Sequence, residues 1–199
     1  MLVLGIDACL GHCSVAVMRG RAVLASRSEA MARGHVERLA PMVSETLRDA
    51  AVAVDDLDLI GVTCGPGGFT GARLGAAFAR GLALASGCRS VGVTTLEALA
   101  LPHGREDLIV ALDGRRGDLF VQYFSGGMAG ADARAVSVDA MPSFVANHGS
   151  PPVIGPEALP AIDPADVARL AMQRMDAEPP RPLYLRAPDA KAAARPVLR

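Results

Sequence analysis

A glycine-rich stretch from Cys64 to Gly75 is the part of the sequence whose composition could support chemistry. It follows an apolar run, Leu57 to Val62, typical of a buried strand, and leads into a predicted helix, Ala76 to Ser86. Backbone N–H groups in such a turn, with the helix N-terminus, can bind an anion such as a phosphate. The stretch has neither the Lys-Ser or Lys-Thr of a Walker A loop nor the glycine spacing of a dinucleotide fingerprint. A tight turn that lets the helix pack closely on a sheet explains the glycines equally well.

The composition describes a globular chain with an aliphatic core. The 199 residues are half hydrophobic and include only seven aromatic side chains, which allows one large domain or two small lobes. The net charge of −1 argues against this chain alone holding a nucleic acid, which usually requires a basic face.

The sequence also bears on the compartment. Cysteines at positions 9, 13, 64 and 88 lack zinc-ligand spacing, so we expect four free thiols, mostly buried. The N-terminus lacks the basic region and cleavage site of a signal peptide, and no apolar run is long enough for a bilayer. We therefore expect a cytoplasmic protein without a membrane contact.

The first half of the chain alternates strands and helices. Apolar runs at Leu2 to Ala8, Cys13 to Met18 and Ala22 to Arg27 predict three antiparallel strands joined by short turns. A helix with one apolar face follows from Val36 to Ala50, and Pro41 either kinks it or marks its start. The glycine-rich turn and its helix come next, followed by a short strand and a short helix.

The second half is predicted to form a smaller unit. Pro102-His103-Gly104 is the best boundary, giving an N-terminal lobe over 1–102 and a smaller C-terminal lobe with a Pro-rich tail over 103–199. The second lobe opens with a strand, a turn and a strand, over Leu108 to Leu112 and Asp118 to Phe124. Weaker signals predict a loop at 126–130, a strand that includes Val136 and Val138, a helix at 141–147, a strand at 153–154 and a helix at 164–175.

This element order resembles the duplicated, ribonuclease H-like lobes of the actin, sugar-kinase and Hsp70-like superfamily. Short motifs along nearly the whole chain look like the bacterial TsaB (YeaZ) family. They are Gly5-Ile6-Asp7, Gly34-His35 with Glu37-Arg38-Leu39-Ala40-Pro41, Cys64 to Gly75, Val91-Gly92-Val93 with Leu96-Glu97-Ala98-Leu99, Ala111-Leu112-Asp113-Gly114-Arg115-Arg116-Gly117 and Pro182-Leu183-Tyr184-Leu185-Arg186. The resemblance implies a two-lobed α/β fold whose second lobe is reduced.

The resemblance also implies a role and partners. TsaB-like proteins act in making threonylcarbamoyladenosine beside the anticodon of tRNA. They are non-catalytic scaffold subunits that pair with TsaD, a catalytic paralogue of the same fold, and are joined by TsaE, a small ATPase. On this basis we expect no cofactor, tRNA contact only through the complex, and a homodimer as one state of the chain when it is alone.

Two positions bear on catalysis. The catalytic paralogue of this family carries an H-x-x-x-H pair after the strand that follows the glycine-rich helix, and two His one helical turn apart can share a metal ion. The matching positions here are Thr95 and Leu99, and no other His pair has this spacing. We therefore expect no metal and no catalytic residue in this chain.

The nucleotide-binding loops of the superfamily look degraded. Asp7 is followed by Ala8 and Cys9, where the family usually has hydroxyl side chains, and the second lobe is too short for a full nucleotide cleft. The residues that match vestigial nucleotide or phosphate loops are Gly5, Asp7, Gly65, Gly67, Gly68, Gly71, Asp113 and Gly114.

The helices of the first lobe are our predicted partner surface, since small residues at helical spacing let another helix approach closely. The residues of this surface are Leu39, Met42, Val43, Arg73, Ala76, Ala79, Arg80 and Ala83. The competing interpretation is that the apolar faces of both helices are wholly used on the sheet.

Several single residues keep two interpretations. Asp7 is either a catalytic carboxylate or a structural acceptor at a strand end, and His35 is either a base or a backbone-bonded residue at a helix start. Glu97 either pairs with a partner's basic group or supports the first turn of its own helix. Arg115 and Arg116 either contact tRNA phosphate or are solvated.

Two other functions compete with the scaffold subunit. One is an ATP-dependent phosphotransferase or metal-dependent hydrolase of the same superfamily, favoured by Asp7, the glycine-rich turn and Asp113. It is opposed by the missing metal ligands and the short second lobe. The other is a free-standing nucleic-acid binder, which the charge balance supports poorly.

Overall fold

A computed structural model of the chain describes residues 1–155 and 161–186. The elements of its first part are β1 (Leu2–Asp7), β2 (His12–Arg19), β3 (Ala22–Ala30), α1 (His35–Asp49), β4 (Leu59–Thr63), α2 (Phe69–Ser86), β5 (Arg89–Val93) and α3 (Thr95–Ala100). Those of its second part are β6 (Leu108–Arg115), β7 (Asp118–Ser125), β8 (Met128–Ala129), β9 (Arg134–Ser137), α4 (Met141–Asn147), β10 (Val153–Ile154) and α5 (Pro164–Met172).

The first sheet has five strands in the order β3-β2-β1-β4-β5. The antiparallel pairing of β1 with β2 and of β2 with β3 confirms the predicted three-stranded meander. Strands β1, β4 and β5 run parallel, so their carboxyl ends meet at one edge of the sheet. Every residue of β4 is buried, as expected for a parallel strand covered on both faces.

Helices α1 and α2 cover one face of this sheet, where they form a core with alternate residues of β1, β2 and β4. Helix α1 begins at His35 and runs through Pro41 to Asp49, so Pro41 does not mark its start. The other face packs on α3, α5 and strand β6, which makes one core shared by both halves of the chain.

Helix α5 lies against the first sheet although it follows the second sheet in sequence. A Cβ atom at Gly5 would lie 2.0 Å from the carbonyl oxygen of Pro164, and one at Gly61 would lie 2.6 Å from the Cβ of Ala171. Glycine in β1 and in β4 therefore lets the α5 backbone approach the sheet. The predicted boundary at 102–103 stays a prediction.

The second sheet has the order β10-β6-β7-β8, with β9 also pairing with β7. The β6–β7 hairpin, helix α4 and strand β10 form where the sequence predicted them. The predicted loop at 126–130 contains the two-residue strand β8, and α5 ends at Met172 rather than 175. The last part of the predicted Pro-rich tail, 187–199, lies outside the described residues. Among the described helices, none combines the length and the apolar character that a membrane span requires.

Candidate functional site

Asp7 lies at the carboxyl end of β1 with a fully buried side chain. Its Oδ1 accepts hydrogen bonds from the Thr63 hydroxyl at 2.6 Å and from the Cys9 N–H at 3.1 Å. Its Oδ2 is buried without a hydrogen-bond partner among the described residues. Burial raises the pKa of this carboxyl, although the two hydrogen bonds lower it. This geometry matches the second interpretation of Asp7, a structural acceptor at a strand end. The hydrogen bond from Thr63 to the Asp7 carboxyl joins the end of β1 to the end of β4.

Cys9 and Thr95 complete a buried polar cluster with Asp7 and Thr63, here called the strand-end cluster. The Cys9 thiol donates to the carbonyl oxygen of Thr63 at 3.3 Å, and burial raises its pKa to about 12. Thr95, at the start of α3, donates its N–H to the carbonyl oxygen of Gly65 at 2.9 Å, and its hydroxyl is buried without a partner in the described part of the chain. A thiol with this pKa is not a nucleophile at neutral pH.

The glycine-rich turn packs directly on the backbone that follows β1. The Gly68 N–H donates to the carbonyl oxygen of Cys9 at 2.7 Å. A Cβ atom at Gly71 would lie 1.8 Å from the carbonyl oxygen of Ala8, and one at Gly67 would lie 2.5 Å from that of Cys9. The two segments predicted as vestigial phosphate loops therefore contact each other, and these glycines allow close backbone approach. The tight-turn interpretation accounts for this geometry.

A segment near the C-terminus, residues 180–186, covers the same edge of the sheet and is here called the strap. The Leu183 N–H donates to the carbonyl oxygen of Cys64 at 2.8 Å. Gly65, whose φ of +95° favours glycine, lies under the Leu183 carbonyl, to which an added Cβ would come within 3.1 Å. Pro180 is buried against Gly92 of β5. The sequence indicates an ordered piece at 183–186, within a family motif, but it gives no sign of the pairing with Cys64, which spans more than a hundred residues.

The strap also joins the glycine-rich turn to the β6–β7 hairpin. The Arg186 guanidinium donates to the carbonyl oxygen of Arg115 at 3.1 Å and to the carboxylate of Asp118. Asp113, in the same hairpin, is exposed and accepts from the Arg115 N–H at 2.7 Å, while Gly114 is buried. Asp113 therefore stabilises its own turn, and the strap reaches this hairpin through Arg115 and Asp118.

Glu97 has two roles in the fold. It forms a capping box with Thr94 at the start of α3, as one of its two interpretations predicted. It also accepts hydrogen bonds from Arg174, just after α5, at 2.5 and 3.0 Å. Burial alone would raise the pKa of Glu97, but the bonds from Arg174 and Thr94 outweigh it and lower the pKa. No sequence signal pointed to Arg174, which lies far from Glu97 in the chain.

His35 begins α1, and its Nε2 lies 3.2 Å from the carbonyl oxygen of His12. This is the backbone-bonded arrangement that its second interpretation predicted. Three cysteines, Cys9, Cys13 and Cys64, are buried free thiols, as expected, and Cys88 is half-buried. Over residues 1–155 and 161–186, no three His, Cys, Asp or Glu side chains group in a way that could hold a metal ion.

The side chains chosen for the predicted partner surface need correction. Six of the eight lie in the core that α1 and α2 form with the first sheet; they are Leu39, Met42, Val43, Ala76, Ala79 and Ala83. The Ala row of α2 therefore packs on the sheet. Arg73 and Arg80 are exposed, as are Ala77, Gly81 and Leu84. An interface on these helices stays a prediction, and it would have to use the exposed residues.

The fold and this edge of the sheet define a class. The chain is an α/β protein with two sheets, as predicted, and backbone from its own chain packs on the glycine-rich turn. A superposition on YeaZ from Pseudomonas aeruginosa gives a TM-score of 0.73 at 25% identity, covering 92% of this chain and 99% of that one. An uncharacterized protein of Mycobacterium tuberculosis (strain ATCC 25618 / H37Rv) is 36% identical over 96% of this chain and 95% of its own length.

Two further comparisons name the family. The family model described as TsaD, tRNA N6-adenosine threonylcarbamoyltransferase, matches residues 23–159. The tRNA threonylcarbamoyladenosine biosynthesis protein TsaB of Escherichia coli (strain K12) is 34% identical over 60% of this chain and 53% of its own length. The chain belongs to the TsaB (YeaZ) branch of this family.

Proposed function

We propose that this chain is a TsaB-type subunit for threonylcarbamoyladenosine biosynthesis in tRNA, and that it is not the catalyst. The Escherichia coli relative is named as a tRNA threonylcarbamoyladenosine biosynthesis protein. The observation that carries the non-catalytic role is the burial of Thr95 and Leu99 on α3. These are the positions at which the catalytic members of the family place two metal-binding histidines, and leucine cannot bind a metal ion.

The glycine-rich turn supports the same conclusion over a phosphotransferase. The N–H of Gly68 is used by Cys9, and the carbonyl of Leu183 lies against Gly65. A phosphate at this turn would have to displace backbone contacts that the chain makes with itself. Asp7 is fully buried and already accepts two hydrogen bonds.

We place the partner, a TsaD protein of the same organism, on the outer side of α1 and α2. A groove of about 390 Å³ runs between these helices, and its lining is largely apolar. Its lining residues include Ala40 and Ser44 of α1 and Phe78 and Leu82 of α2. Leu84 of α2 lies outside the groove lining and is 86% exposed, so it adds an apolar side chain that a partner on this helix could cover.

The proposal extends to the rest of the assembly as the family implies it. A TsaE-type ATPase joins the two subunits, tRNA is reached only through the complex, and the work takes place in the cytoplasm. In the absence of the partner, two copies of this chain associate through the same groove, because burying its apolar surface is favourable whichever protein covers it.

Size-exclusion chromatography with light scattering tests the proposal, on the chain alone and mixed with the TsaD protein. A defined heterodimer is expected, and modified tRNA should form only when both proteins are present with the other components of the pathway. A mixture that never associates, or a lone chain that modifies tRNA, would overturn it.

Gly81 provides a matched pair of variants for the interface. A Cβ atom at this position meets no other atom within 4 Å, so both Gly81→Arg and Gly81→Ala fit the fold. Gly81→Arg should block association and Gly81→Ala should not. If both variants associate like the wild type, the interface lies elsewhere, while the subunit role stands or falls with the first experiment.

A further inference from the structure

Two aromatic side chains are exposed together beside the strap. Phe69, at the start of α2, is 54% exposed and Tyr184, in the strap, is 47% exposed, with ring centroids 5.3 Å apart. The Arg73 guanidinium lies 3.5 Å from the centroid of the Phe69 ring, and its Nε donates to the Tyr184 hydroxyl at 2.7 Å. These contacts hold two aromatic faces in fixed positions at the surface of a chain that has only seven aromatic residues.

The surroundings of this pair are positively charged although the whole chain has a net charge of −1. Arg181 is exposed in the strap, and Arg186 ties the strap to Arg115 in the β6–β7 hairpin. Asp118 is paired with Arg186, whereas Asp113 keeps its charge while it accepts from the backbone of its own turn. The three cations of Arg73, Arg115 and Arg181 therefore exceed this one unpaired carboxylate along the strap.

We propose that this surface, formed by Phe69, Arg73, Arg115, Arg181 and Tyr184, contacts a single-stranded segment of RNA. It is called the strap face below. An unstacked base would lie on the parts of the two rings that the Arg73 guanidinium leaves exposed, and the arginines would contact phosphates on either side. The inference rests on the proposed function, in which the RNA is a tRNA, whose loops supply unpaired bases.

A protein partner is the competing occupant, because aromatic residues and arginine are also enriched at protein interfaces. The surface favours RNA for two reasons. Its cations outnumber its free acidic groups, and the apolar groove that suits a protein partner lies further along α2, at Phe78 and Leu82. Phe78 and Leu82 follow Phe69 by nine and thirteen positions in the helix, which amounts to separations of about 14 and 20 Å along its axis.

The experiment measures binding of a fluorescently labelled, unmodified tRNA transcript by anisotropy at several salt concentrations. It uses the complex with the TsaD protein and, in parallel, the full chain alone. Phe69→Leu and Tyr184→Leu keep apolar volume but remove the aromatic face, and each should weaken binding about tenfold. Arg181→Gln should lower the slope of log affinity against log salt by about one.

Arg19→Gln is the matched control. Arg19 is exposed and pairs with Leu2 at the opposite end of the first sheet, so its loss should leave tRNA binding unchanged. Thermal melting of each variant checks that the fold is kept.

The outcomes separate this inference from the function on which it rests. Strap-face variants that form the complex and bind tRNA like the wild type overturn the inference and leave the subunit role intact. If strap-face variants no longer bind the TsaD protein, the surface is an interface for a protein partner, which also overturns the inference. If the wild-type proteins never associate, the subunit role fails. In that case the lone chain decides the RNA contact: tRNA binding that the strap-face variants weaken supports the inference, and no tRNA binding by the lone chain overturns it.

Discussion

The Thr63 hydroxyl donates to Asp7 Oδ1 at 2.6 Å, and this bond joins the carboxyl ends of two neighbouring parallel strands in a fully buried place. Thr63→Val keeps the side-chain shape and removes the donor. We expect the free energy of unfolding at pH 7 to fall by about 1–3 kcal/mol, the range for a buried group that loses a hydrogen-bond partner. Urea unfolding measures it.

The same variant should show a characteristic pH dependence. The pKa of Asp7 is raised in the folded chain, so its contribution to stability is fully present below its unfolded value of 3.8 and is lost as pH rises through the folded value. Loss of the Thr63 donor raises that pKa further. The difference between Thr63→Val and wild type should therefore shrink toward pH 4. A constant difference across pH would show that Thr63 does not stabilise the charged carboxylate, and Asp7→Asn, which cannot ionise, serves as the control.

Two glycines of α2 should respond to the same substitution in opposite ways. Gly71→Ala places a Cβ 1.8 Å from the carbonyl oxygen of Ala8, so the turn or the helix must shift. We expect it to cost about 3 kcal/mol or to prevent folding. Gly81→Ala meets no atom and replaces glycine inside a helix, which should stabilise the chain by about 1 kcal/mol. Thermal melting measures both variants. Melting temperatures that shift in the same direction for both would contradict this account.

The sequence predicted elements well where one local signal decides them. Apolar runs located β1 and β4 because both faces of these strands are buried, and helical spacing located α1. For α2 the sequence left two interpretations, a partner surface or packing on the sheet, because its alanines and glycines carry little contrast between a buried and an exposed side. Ala76 and Ala79 pack on the sheet, whereas Ala77 and Gly81 are exposed.

The site itself was only partly predictable. Cys64 to Gly75 was found from composition, but its contacts with Cys9 and Leu183 depend on where distant segments return. The same holds for Arg174, which reaches Glu97 only because α5 crosses back onto the first sheet. A sequence pattern indicates contacts between residues that are close together in the chain. The residues of these pairs are far apart in the chain, so no local pattern predicts their contacts.

The Glu97–Arg174 pair should make stability sensitive to acid. The pKa of Glu97 is lowered in the folded chain, so its contribution is present above the unfolded value of 4.5 and is lost as pH falls through the folded value. The side chains are 13% and 36% exposed, so solvent screens the pair only in part. We expect Arg174→Gln to cost about 1–2 kcal/mol at pH 7, below the range for a fully buried pair.

A smaller loss is expected for the double variant Glu97→Gln with Arg174→Gln, because no buried charge is left without its partner. Urea unfolding at pH 7 and near pH 3.5 measures both variants against the wild type. The cost of Arg174→Gln should diminish at the lower pH. An equal cost at both values would mean that Arg174 stabilises the fold through packing alone.

Thiol reactivity should follow burial at the sheet edge. Burial raises the pKa of Cys9 to about 12 and those of Cys13 and Cys64 to about 11, so at pH 8 these thiols are protonated as well as covered. Cys88 is half-buried. With a disulfide reagent at pH 8, one thiol per chain should react quickly and Cys88→Ser should remove that phase, while all four react after unfolding in urea. A second fast thiol in the native chain would contradict this account. Its disappearance in Cys9→Ala, Cys13→Ala or Cys64→Ala would identify which buried thiol becomes accessible.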